Sequence, residues 1–180
     1  MKRLLIIVGV FIAVSVGAEV EKTGVPCETG LCLFWWPKLP AIKGWHQELN
    51  QSQHYGINAL APDGSTFEDA ETVIYAKASY KPRVPETKSL DALIAQDKED
   101  FKKNVPGVTI TEAATLTTGD GQKLRSLIFH PQSEGNWERA AYAEEDDYYL
   151  VFTVSSRTKS GYEKSLRAFE ELIRAYKKKL

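Results

Sequence analysis

Two cysteines, three histidines and an aromatic knot hold most of the chemistry this sequence could perform. Cys27 and Cys32 form a C-x4-C pair, with Gly30 inside the loop. In an oxidising compartment two lone cysteines this close bond each other, and the glycine helps so short a ring to close. A thioredoxin-type redox pair needs C-x-x-C at a helix N-terminus, which this is not. Metal ligation would require partners from elsewhere in the chain. The expectation is a structural disulfide.

His46 and His54 fall on two expected strands, 45–49 and 53–60, around Asn50-Gln51-Ser52. A hairpin centred on Asn50 would set them opposite each other with Glu48 adjacent, a group able to bind a metal or move a proton. A slip of one residue would put them on opposite faces. Histidines also sit on polar strand faces for no catalytic reason, so no metal is expected, and His46, Glu48 and His54 stand as the candidates. His130, before Pro131, ends a strand and reads as exposed. Glu144-Glu145-Asp146-Asp147 reads as a solvated turn, because calcium loops space their ligands and turn on a glycine. The chain has no G-x-S-x-G, H-E-x-x-H, G-x-x-x-x-G-K-[ST] or G-x-G-x-x-G motif, so no cofactor is expected. Ser155-Ser156-Arg157 follows a strand without a histidine nearby in sequence. In Phe34-Trp35-Trp36-Pro37 the adjacent tryptophans cannot both enter one core from an extended segment. One packs the sheet, and the other is a candidate anchor for a partner or a glycan.

The elements that would position these groups follow from periodicity. Residues 19–43 are irregular and rich in proline and tryptophan. After the first two strands, Pro62-Asp63-Gly64 is a turn signature, and 72–80 is a β-branched and aromatic strand. From Ser89, Leu90, Leu93, Ile94 and Phe101 share one helical face, ended by Pro106-Gly107. Four strands follow at 108–116, 123–129, 137–143 and 148–154. The closing helix opens on a Ser160-x-x-Glu163 capping box and shows a stripe of Tyr162, Leu166, Phe169, Leu172, Ile173 and Tyr176. Lys177-Lys178-Lys179 suits the negative end of that helix.

The order is therefore ββ-β-α-ββββ-α. Strands joined by short turns pair antiparallel, because a parallel crossover needs about a dozen residues. Tyr148-Tyr149-Leu150-Val151-Phe152-Thr153-Val154 is apolar on both alternating faces, the mark of a strand covered on both sides. The expected fold class is α+β: a mostly antiparallel central sheet with helices on both faces, or one helix and the aromatic N-terminal segment.

Residues 1–18 carry a secretory pattern: basic Lys2-Arg3, an uncharged run over 4–16, and small residues at Val16-Gly17-Ala18. A spanning helix needs about 20 apolar residues, so cleavage near Glu19 is expected, giving a periplasmic or secreted product with no membrane attachment. Its body is a single domain over 44–180. The chain has 23 basic and 24 acidic residues, and losing Lys2 and Arg3 leaves 21 against 24. That net charge of −3 argues against a nucleic-acid partner, which needs a basic surplus on one face.

The export signal, the first hairpin, one helix after the third strand, the meander and the long last helix resemble the Mog1/PsbP-type α/β/α sandwich. The stretch from Gly135-Asn136-Trp137-Glu138-Arg139 through 149–157 also resembles exported bacterial proteins of unassigned role. The resemblance covers about residues 44–178 and implies a non-catalytic accessory or binding protein, with a protein partner in the cell envelope. The alternative class is a small periplasmic hydrolase or metal-dependent enzyme using His46, His54 and Glu48.

Overall fold

The computed structural model describes residues 20–27 and 30–178. The expected signal segment, the side chain of Cys27 and so the Cys27–Cys32 bond lie outside the described residues, as does Lys179.

The strand whose sequence is apolar on both faces occupies the middle of the sheet. β9 (Tyr148–Ser156) is the fourth of seven antiparallel strands in the order β3-β4-β5-β9-β8-β7-β6. β6 (Thr109–Thr117), β7 (Lys123–His130), β8 (Trp137–Glu145) and β9 form a meander on tight turns. On its other side β9 pairs with β5 (Thr72–Tyr80), which pairs with β4 (Asn58–Pro62) and then the short β3 (Trp45–Gln47). A two-stranded hairpin, β1 (Val20–Cys27) and β2 (Gly30–Pro37), lies against β5. Among the described residues the fold is thus mixed α+β, a seven-stranded antiparallel sheet with three α-helices.

Two buried clusters use alternate residues of β9. Leu150, Phe152 and Val154 join Ile74 of β5 with Phe169, Leu172 and Ile173 of α3 (Lys159–Ala175). Val151 joins Leu127, Phe129, Ala140 and Tyr142 with Ile94 of α2 (Leu90–Asn104). Leu90, Leu93 and Phe101 pack beside Ile94, so the face expected from their spacing is the one that docks. Among the described residues no helix is long and apolar enough to cross a membrane.

Five expectations change. Residues 53–60 are not one strand: a short helix, α1 (Leu49–Tyr55), precedes β4. This polar stretch folds because tertiary bonds hold it, Ser52 Oγ donating to the Glu48 carbonyl at 2.8 Å and accepting from Ala59 N at 2.9 Å. Gly56 caps it in the left-handed region at φ 65°, and a Cβ there would meet Phe34 at 2.3 Å. Within the segment read as irregular, β1 and β2 form a hairpin with Pro26 and Pro37 near the strand ends, where a missing donor costs little, while 38–42 carry no helix or strand. The element order therefore gains a hairpin and a helix. The last helix starts before Ser160: Thr158 is its N-cap, accepting from Gly161 N at 3.0 Å. The chain leaves that helix at Ala175, and Lys178 bonds Asp120 through its backbone and Asp146 through its ammonium. Nor is the acidic turn wholly solvated, since Glu145 is buried and accepts from the Tyr176 hydroxyl at 3.2 Å.

Candidate functional site

Pairing decides what faces what. Glu138 of β8 stands opposite Ser155 of β9, and Ser155 stands opposite Val73 of β5. One step along, Tyr75 is opposite Thr153. Val73, Tyr75, Glu138 and Ser155 line a cleft of about 240 Å³, completed by Phe67, Ala70 and Glu71 before β5, Asn136 before β8 and Arg157 after β9. No residue of α2 lines it.

At its floor is a buried carboxyl. Glu138 is 8% exposed and accepts from Ser155 Oγ at 2.7 Å. Tyr75 lines the same floor beside it, and Thr153 stands opposite Tyr75 on β9. Asn136 Nδ2 donates to Ser155 Oγ at 3.0 Å, so amide, hydroxyl and carboxyl form a chain reaching the rim. Among the described residues Glu138 makes no ion pair. Burial pushes its carboxyl up to about 7, helped by the negative charge of Asp97 and opposed by the Ser155 and Tyr75 hydrogen bonds. Burial raises the Tyr75 phenol as well, and the charge of Glu138 adds to it. Tyr142, on the same face, donates to Asp97 of α2.

The rim carries one residue of each charge, Arg157 and Glu71. Arg157 is exposed, and its guanidinium donates to the Glu68 carbonyl while its backbone N–H donates to that of Glu71 at 2.9 Å. The Glu71 carboxylate accepts from the Thr158 hydroxyl at 2.5 Å. The α3 N-terminus comes this close because residue 161 is glycine: a Cβ there would lie 2.6 Å from Ser156 Oγ. A buried carboxyl that titrates near neutrality at the base of an open cleft can give or take a proton, or hold a cation.

The residues singled out by type and spacing lie elsewhere. His46 pairs across the sheet with Ala61, not with His54. Its Nε2 is 3.1 Å from Glu48 and its Nδ1 3.6 Å from Asp63. His54 is on α1, edge-on to Tyr55, which undoes the hairpin that would have joined the two histidines. Among the described residues no group of three or more His, Cys, Asp or Glu side chains is placed to hold a metal. His130 ends β7, half-buried and edge-on to Trp137. Trp36 is buried. Trp35 is half-buried, stacked on Tyr80 at 5.5 Å with Arg83 4.6 Å over its ring. Cys32 lies opposite Val25 and Cys27 opposite Gly30, and among the described residues no cysteine is free.

Glu138 and Tyr75 were not among the sequence candidates, and Ser155 was weighed only as a nucleophile lacking a nearby histidine. A signal was present: a carboxylate inside a strand of small and apolar residues, and a serine pair closing the most apolar strand. Both lie in the two stretches that carried the likeness to exported bacterial proteins.

No family model and no curated protein matches the chain. A solved structure of a Pseudomonas aeruginosa protein of unknown function, described as a candidate regulator, is similar at a TM-score of 0.52 and 14% identity. The match covers 88% of this chain and 98% of that one, and at this identity what the two demonstrably share is the fold.

Proposed function

We propose that this chain is an exported accessory protein that acts by binding, and that the cleft over Glu138 is its binding surface. One observation carries the reading: a buried carboxyl that forms no ion pair among the described residues faces an open cleft walled by hydrogen-bonding groups. Such sites recognise polar ligands through a few placed groups on a rigid sheet. The three histidines lie outside the cleft lining, which leaves Ser155 beside a carboxyl and an amide but no imidazole. The envelope location, the cleaved signal, the Cys27–Cys32 disulfide and a protein partner in the envelope belong to the same proposal.

The three-layer α/β/α arrangement of Mog1/PsbP type is also proposed. It is supported by the two clusters on alternate residues of β9, one with α3 and one with α2. A second reading, an enzyme using Glu138 as general acid or base, is favoured by its carboxyl lying near 7.

Native mass spectrometry of protein isolated from its own envelope tests the proposal. The wild type should carry a bound molecule or companion chain that Val73→Trp, which fills the cleft, no longer retains. Identical companions on both would show that the cleft is not the binding surface. Turnover of a substrate that Glu138→Gln abolishes would move the assignment to the enzyme reading.

A further inference from the structure

We infer that the cleft is a site for a small zwitterion of amino-acid type, its ammonium seated on Glu138 and its carboxylate met by Arg157. This rests on the reading of the cleft as a binding surface and names what it binds.

Charge decides the ligand class. A ligand that covers Glu138 removes its remaining water, and a buried carboxylate tolerates that only beside a cation or when protonated. An ammonium offers three N–H donors, and the floor offers acceptors on Glu138, Ser155 and Tyr75. The Tyr75 ring adds an aromatic wall that favours a cation. A ligand carrying only negative charge would meet Glu138. The Arg157 guanidinium at the mouth has N–H groups beyond the one given to the Glu68 carbonyl, and these suit a carboxylate, while Asn136 at the rim offers an amide. Phe67 and Val73 supply an apolar wall for the ligand's carbon chain.

Size narrows the class further. At about 240 Å³ the cleft lies below the range of roughly 300–1,000 Å³ that takes drug-sized ligands. The charged and titratable groups around Glu138 are Tyr75 on β5, Asp97 and Tyr142 on the α2 side, and Glu71 and Arg157 at the mouth. Asp97 strengthens the attraction for a cation.

Isothermal titration calorimetry on the mature, folded protein tests this with alanine, serine, valine and leucine as free L-amino acids. The best binder is then compared with its N-acetyl form and with its decarboxylated amine. The expected result is saturable one-to-one binding at pH 8 that weakens about tenfold or more at pH 5.5, where Glu138 holds its proton. N-acetylation should abolish binding, and Glu138→Gln should weaken it about tenfold or more and remove the pH dependence. Arg157→Ala should erase the preference for the amino acid over the amine while leaving the amine bound. Circular dichroism confirms that each variant is folded. Equal binding of the N-acetyl form, unchanged binding by Glu138→Gln, or no binding of any of the four at millimolar concentration overturns the inference. If none binds while Val73→Trp still strips the native companions, the ligand class is wrong and the cleft remains the binding surface. If Val73→Trp leaves those companions in place, both readings fall.

Discussion

Glu138→Gln should make the protein more stable at pH 8 and leave it nearly unchanged at pH 5. In the folded chain the Glu138 carboxyl titrates at about 7, against an ordinary value of 4.5. Between those two values the folded state keeps a proton that the unfolded chain has already lost. Stability is therefore full below about 4.5, declines as pH rises through the window, and levels off above 7. At roughly 1.4 kcal/mol per pH unit the whole descent is about 3 kcal/mol. Because Glu138 is 8% exposed, solvent screens little of it. Glutamine keeps an oxygen for the Ser155 hydroxyl, so that bond survives without the charge. Urea melts of wild type and variant at intervals from pH 5 to pH 8 measure the difference. Burial raises the Glu145 carboxyl too, but it is present in both proteins and cancels. The variant should gain about 2–3 kcal/mol over the wild type across the series. Parallel curves, or a variant weaker at pH 8, would refute the account of Glu138 as a desolvated carboxyl.

Other consequences can be checked with the same melts. Phe152→Ala should cost about 3–5 kcal/mol and Val151→Ala somewhat less, because both lie in buried clusters on alternate sides of β9. A silent Val151→Ala would mean that the α2 cluster contributes nothing. Gly56→Ala should cost more than about 1 kcal/mol, since the residue sits at φ 65° and a Cβ would displace Phe34; an unshifted urea midpoint would contradict the packing of β2 on α1. Intact mass of the native protein should place its first residue at or near Glu19, and a mass retaining 1–18 would point to an anchor. Without reductant a thiol reagent should find nothing to label. Cys27→Ser should cost on the order of 2 kcal/mol, because so short a ring removes little unfolded-state entropy. Two reactive thiols in exported protein would sink the disulfide.

What could be read from the sequence was whatever depends on one segment alone. The periods of α2 and α3 and the strands of the meander were legible because each buries a face made of its own residues. The two-sided apolar run of 148–154 pointed to a covered strand, and β9 is central for that reason. The short elements were not legible. α1 has no apolar stripe and stands on the bonds of Ser52, and the β1–β2 hairpin forms where Phe34 meets a glycine and Trp36 is buried. The candidate site was hidden for a different reason. Glu138 and Ser155 are seventeen residues apart in sequence, and Tyr75 comes far earlier, so only strand pairing brings them to one floor. The property that makes Glu138 chemically interesting exists in no segment. Desolvation by the folded sheet raises its carboxyl, and desolvation is decided by tertiary structure alone.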